Sequence, residues 1–156
     1  MIKRIGILIV ITAILVSGPI MAKEENEGYI GLQWKFGGKF PSFVIGYRDA
    51  DVATDGDTDG FDVSISFDIG LNKVNKISVK GFSGDENAQA EAGFGYSLVD
   101  KTLFVRLGGQ GKYVSFNVDY LFKNKKLDFE LGVNSIGEYD VPVTAGPPPM
   151  MMSLER

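Results

Sequence analysis

The chain has 156 residues, no cysteine, no histidine and a formal net charge of −4. That length holds one domain. Without cysteine there is no disulfide, no thiolate metal site and no lipid attachment at a processed N-terminus; without histidine there is no ordinary Ser-His-Asp triad and no imidazole zinc ligand. An acidic chain repels nucleic acid rather than neutralising its phosphates, so no nucleic-acid partner is expected.

Residues 1–22 read as a secretory signal peptide. Lys3 and Arg4 give the positive start, residues 5–16 form an apolar run broken only by Gly6 and Thr12, and Ala22 offers a small residue for cleavage before Lys23. A membrane anchor is the competing reading, but Pro19 cuts the run short of the roughly 20 apolar residues a span requires. Cleavage would remove Lys3 and Arg4 and leave a net charge of −6. The mature chain then opens with a short charged lead at residues 23–27.

From residue 29 to 134 the hydrophobic period is two. Phe61, Val63, Ile65, Phe67 and Ile69 alternate with Asp62, Ser64, Ser66 and Asp68, which sorts side chains onto the two faces of a strand and not onto a helix. Ile30, Leu32, Trp34 and Phe36 share one face, as do Phe43, Ile45 and Tyr47. A weaker run holds Ile77 and Val79, and a longer one Ala90 to Leu98. Leu103, Val105 and Leu107 follow, then Val114 to Phe122, then Leu127, Phe129, Leu131 and Val133. Glycine, asparagine and lysine turns at 37–39, 72–75, 83–87, 100–101, 108–112 and 123–126 separate these runs, and 49–60 reads as a long loop. Eight short strands with tight links predict an all-β fold: a single antiparallel up-and-down barrel over 23–140. Residues 141–156, with Pro147-Pro148-Pro149 and Met150-Met151-Met152, read as a disordered tail.

Alternation does not by itself say which face is outside. A membrane barrel turns its apolar face to lipid and a soluble barrel turns it inward. Gly31, Gly46, Gly93, Gly95, Gly108 and Gly132 lie on the polar face, where a water-exposed surface gains nothing from them and a crowded lumen needs small residues. Lys35, Arg48, Lys80, Glu91, Arg106, Asp119 and Glu130 share that face, and in a lumen they would have to pair. The expected lumen charge cluster is Arg48, Glu91, Arg106, Asp119 and Glu130, with Glu91, Arg106 and Asp119 on three successive strands as a salt-bridge plug. Trp34, Phe36, Tyr47, Phe61, Tyr96, Tyr120 and Phe122 fall near strand ends, as an interfacial girdle would. The 49–60 loop runs against this reading, because it falls on the side of the chain termini, where membrane barrels keep short turns.

Gly31-Leu32-Gln33-Trp34-Lys35-Phe36-Gly37-Gly38, Gly46-Tyr47-Arg48, Gly93-Phe94-Gly95-Tyr96-Ser97 and Val118-Asp119-Tyr120-Leu121-Phe122 resemble small proteobacterial outer-membrane barrels of the OmpX and YfaZ kind. The resemblance spans most of residues 28–134 and implies a fold and a location, with no catalytic or binding residue to carry over. The chain departs from the pattern by ending in Leu154-Glu155-Arg156 rather than in an aromatic strand.

Asp55-Gly56-Asp57-Thr58-Asp59-Gly60 is the only metal-like motif. Alternate carboxylates before a glycine match half of a calcium loop, but Ser66 stands where the bidentate glutamate belongs. A solvated acidic turn is the plainer expectation for Asp55, Asp57 and Asp59, and neither a metal nor a cofactor is expected. The sequence thus points to a non-enzymatic outer-membrane barrel with a structural or interaction role and outer-membrane lipid as its surroundings, its protein partner unknown. The alternative is a soluble periplasmic or secreted barrel holding a small apolar ligand.

Overall fold

The computed structural model describes residues 23–143. The signal peptide read at 1–22 and most of the tail, 144–156, lie outside them. Eight strands follow in chain order: β1 Lys23–Lys35, β2 Ser42–Val52, β3 Asp57–Asp68, β4 Lys73–Asp85, β5 Ala88–Ser97, β6 Thr102–Gly111, β7 Val114–Leu121 and β8 Lys126–Asn134. Each pairs antiparallel with its chain neighbours, and β1 pairs with β8, so the sheet closes into an up-and-down barrel.

The strands are longer than the hydrophobic runs that mark them. Residues 49–60, read as a loop, are mostly paired: Asp51 faces Asp59 and Val52 faces Thr58, leaving only 53–56 as the turn. Gly56 makes that turn with a φ of 94°, a conformation that glycine adopts without a Cβ clash. The charged lead at 23–27 likewise belongs to β1, with Lys23 opposite Val52 and Glu27 opposite Arg48. Acidic side chains hid both segments, since Asp and Glu are poor strand markers; backbone pairing with a neighbour carries them instead. The 83–87 and 108–112 turns shrink in the same way to 86–87 and 112–113.

These corrections remove the objection about link lengths. The links 36–41, 69–72, 98–101 and 122–125 all lie at one end of the barrel, here the hairpin end. The links 53–56, 86–87 and 112–113, none longer than those opposite, share the other end with the first and last described residues.

The β1–β8 seam is short, running from Gly31 opposite Asn134 to Lys35 opposite Glu130. The earlier half of β1 therefore has one strand neighbour only, and an unpaired edge invites association. Ser135 takes over as the neighbour at Ile30, and residues 136–139 run on across the mouth. The Ser135 N–H donates to the Ile30 carbonyl at 2.9 Å, and the Tyr113 N–H donates to the Ile136 carbonyl at 2.8 Å. Ile136 and Tyr139 are both buried, and Tyr139 joins Ala50, Val52 and Phe82 in an apolar cluster inside the mouth of the barrel. The last residues of the predicted barrel domain thus leave the sheet after β8 and act as a strap across its termini end.

Side-chain direction follows the period of two. The large apolar side chains point outward around the whole circumference, from Ile30 and Trp34 on β1 to Leu131 and Val133 on β8. The polar face points in: Arg48, Asp62, Lys76, Lys80, Glu91, Arg106, Asp119, Asp128 and Glu130 are all buried. A few apolar side chains break the rule inside, among them Phe104 and Leu121, each 0% exposed.

Candidate functional site: the charged lumen

Every residue expected in the lumen cluster is in the lumen, but the structure divides them into two groups. Toward the termini end, the Arg48 guanidinium donates from Nη1 to Glu91 Oε1 at 2.7 Å and from Nη2 to Gln89 Oε1 at 3.4 Å. Lys80 Nζ donates to the other Glu91 oxygen, also at 2.7 Å. Asp62 lies 3.8 Å from Arg48 and 3.7 Å from Lys80, and accepts a hydrogen bond from the Tyr29 hydroxyl at 3.2 Å. The Arg48 guanidinium also stacks 3.7 Å above the Phe82 ring, where cation–π attraction adds to the ion pair.

Toward the hairpin end, Arg106 grips Asp119 with two parallel bonds, Nε to Oδ1 at 2.5 Å and Nη2 to Oδ2 at 2.6 Å. Its Nη2 also reaches Glu130 at 2.6 Å. Lys76 Nζ bridges the same two carboxylates, at 2.6 Å from Asp119 and 2.5 Å from Glu130. Asp128 continues the network to Lys35 at 2.6 Å and Lys126 at 3.4 Å.

The trio of Glu91, Arg106 and Asp119 is therefore not one plug. Glu91 belongs with Arg48 and Lys80, while Arg106 and Asp119 close on Glu130 and Lys76. Strand tilt is the reason: tilted strands place lumen residues at unequal heights even when they share a facing. Lys80 and Lys35, read on the polar face, also belong to the cluster, and Lys76, Asp62 and Asp128 are members that the sequence reading did not name among its lumen charges. Their signal was present, since each sits two or four residues from a lumen residue on its own strand.

Four buried cations (Arg48, Lys76, Lys80, Arg106) face five buried carboxylates (Asp62, Glu91, Asp119, Asp128, Glu130), and partly exposed Lys35 is the fifth cation. Balance matters here because a lone buried charge costs several kcal/mol. Between the two groups lies a cavity of about 30 Å³, lined by Tyr29, Ser64, Lys80, Arg106 and Asn117 among others. A polar cavity of that size has room for water. Large buried side chains such as Arg48, Phe104 and Leu121 occupy much of the lumen.

The glycines make this filling possible. A Cβ at Gly95 would lie 2.5 Å from the Phe104 ring, and one at Gly46 would enter the Tyr29 ring. The bulky lumen residues occupy the space that those glycines leave.

Asp55, Asp57 and Asp59 do not converge. Asp55 sits in the 53–56 turn, where its Oδ1 accepts the Asp57 N–H at 3.3 Å. Asp57 and Asp59 point outward from β3, opposite Asp85 and Asp51. Among the described residues no group of three or more acidic side chains is placed to hold a metal ion.

A concavity of about 1040 Å³ lies on the outside wall, where the outward side chains shrink to Gly81, Ala90 and Ala92 between Phe61, Phe94 and Leu107. The molecule is thus a closed eight-stranded barrel with an apolar exterior and an ion-paired interior. Compared with protein-family models, curated proteins and solved structures, the chain matches none.

Proposed function

We propose that this protein is a non-enzymatic β-barrel of the bacterial outer membrane, with a structural or interaction role and a lumen closed by its internal charge pairs. The observation that carries the reading is the inverted polarity. Water-exposed apolar patches on soluble proteins rarely exceed a few hundred Å², whereas here every strand from β1 to β8 presents large apolar side chains outward. At about 25 cal/mol per Å² that surface gains stability only when an apolar medium covers it. Trp34, Phe36, Tyr96 and Phe122 lie toward the hairpin end of this belt and are exposed, which fits an interfacial aromatic girdle.

The alternative reading, a soluble barrel with an apolar ligand inside, needs an apolar interior. The inward side chains are mostly charged or polar, and the cavity among them is about 30 Å³, which favours the membrane reading. Kinship with the OmpX and YfaZ barrels is part of the same proposal. It is supported by the strand number, the alternation and the longer links at the hairpin end.

Fractionation tests the location. The protein should sediment with outer membrane and resist carbonate extraction. Its band should migrate differently in detergent gels before and after boiling, because a closed membrane barrel stays folded in cold detergent. Recovery in the soluble periplasmic fraction with no heat-dependent shift would reject the proposal.

A further inference from the structure

The two ends of the barrel carry opposite charge. At the hairpin end Lys39, Lys73, Lys101, Lys123, Lys125 and Lys126 are all exposed. The acids there are turned to local work: Asp68 Oδ1 accepts the Leu71 N–H at 2.8 Å, Asp100 Oδ2 accepts the Ser97 hydroxyl at 3.1 Å, and buried Asp128 pairs with Lys35 and with Lys126, at 3.4 Å from the latter. At the termini end the exposed charges are Glu24, Asp51, Asp55, Asp57, Asp59 and Asp85, while Lys112 is engaged by Glu138 at 2.6 Å. Carboxylates even face one another across strands there, Glu24 opposite Asp51 and Asp51 opposite Asp59. Cross-strand like charges are unfavourable, so that end is unsuited to a negative surface.

Four of these lysines, Lys101, Lys123, Lys125 and Lys126, are also gathered on one sector. The Asn124 side-chain amide donates to Asp100 at 3.5 Å, tying the β7–β8 link to the β5–β6 link. Lys101 and Lys125 occupy tight-turn positions with φ of 53° and 48°, which sets them at the hairpin tips. Exposed Leu98, Val99 and Phe122 lie next to them in the same links. Long methylene stems lying over apolar neighbours, with ammonium groups reaching past them, suit the boundary between acyl chains and phosphates.

We infer that the hairpin end sits in the phosphate layer of an anionic lipid leaflet, with Lys101, Lys123 and Lys125 as its principal contacts to lipid phosphate. The inference rests on the membrane reading above and adds to it the chemistry of the partner and the orientation of the barrel. The acidic termini end then faces the aqueous compartment on the other side.

The test uses the full chain folded into phosphatidylcholine vesicles, with trace spin-labelled phosphatidylglycerol or spin-labelled phosphatidylcholine. The motionally restricted fraction of each label gives its relative association with the barrel. A lysine near a charged surface supports a preference of about fivefold, so phosphatidylglycerol should be favoured by about fivefold or more at low salt. Molar salt should bring the ratio toward unity. The triple variant Lys101→Gln, Lys123→Gln, Lys125→Gln should lose the preference, and Lys112→Gln at the other end should keep it. Equal association of both lipids in the unaltered protein overturns the inference and leaves the membrane reading standing. So does a preference that survives the triple variant. If neither label is restricted, the barrel is not in the bilayer and both readings fall. The salt response of the unaltered protein decides the matter even if the variant does not fold.

Discussion

Glu91 stands between two buried cations, 2.7 Å from each of Arg48 and Lys80. Replacing it with alanine removes the carboxylate and leaves both cations in a lumen they cannot leave. Breaking one side of a buried pair costs about 3–5 kcal/mol. Equilibrium unfolding of Glu91→Ala in detergent should show a loss in that range. Lys112→Gln, which breaks an exposed pair, should leave the midpoint where it is. A second residue-scale expectation concerns packing. Gly95→Ala drives a Cβ into the Ile77 carbonyl and the Phe104 ring, whereas Gly81→Ala points outward with its nearest neighbour, the Gly60 carbonyl, at 3.9 Å. Overpacking costs about 1–3 kcal/mol, so Gly95→Ala should unfold at lower urea and Gly81→Ala should be near neutral. Equal effects would mean that the two glycines do not lie on opposite faces.

The β2–β3 hairpin shows how strand pairing overrides a motif. The spacing of Asp55, Asp57 and Asp59 suits a loop that wraps an ion, but Asp57 and Asp59 are fixed on one outward face by their pairing with β4 and β2. Millimolar calcium should therefore leave the melting temperature unchanged, and Asp57→Asn should behave like the parent. A calcium-dependent rise that disappears in the variant would show that the carboxylates converge after all. The strap at residues 135–143 makes a different prediction. Burial pushes the Tyr139 phenol up from 10.0 to about 12, against the opposing pull of Arg48. A raised phenol pKa means that the docked strap holds its proton longer than the free one does. Its contribution is complete below pH 10 and is lost as pH climbs through about 12. Ultraviolet titration of phenolate absorbance, unaltered protein minus Tyr139→Phe, should show one group with its midpoint near 12. A midpoint near 10 would place Tyr139 in water and the strap off the barrel mouth.

For the whole molecule, the facing of the strands has its own test, independent of any gel. Single cysteines at Ile65 and Phe116, both outward, should react with a lipid-confined reagent and be spared by a water-soluble one. Cysteines at Ser64 and Ser115, both buried in the lumen, should not see the lipid reagent. Free reaction of 65 and 116 with the water-soluble reagent would mean that water and not lipid covers the apolar belt. Arginine at either outward position should cost about 2–4 kcal/mol near the middle of a bilayer, an amount that measures depth once labelling has fixed the face.

The period of two determined the all-β class, the number of strands and which side chains share a face, because alternation is a local property of extended backbone. The lumen glycines and charges were legible from the same parity: Gly95 and Arg106 could be placed on the polar face without any knowledge of their neighbours. Three things needed the tertiary structure. Residues 49–52 and 57–60 became strand because β1 and β4 offered backbone partners that their own acidic side chains gave no hint of. The pairing of Glu91 with Arg48 and Lys80, and of Arg106 with Asp119 and Glu130, depended on strand tilt and on heights within the lumen, which no single strand encodes. Ile136 and Tyr139, inside the predicted barrel domain but outside every strand, form a strap because the β1–β8 seam stops at Asn134 and leaves an apolar mouth to cover. Alternation along a strand fixes which side chains lie together on a face, whereas closure of the sheet decides which of them meet.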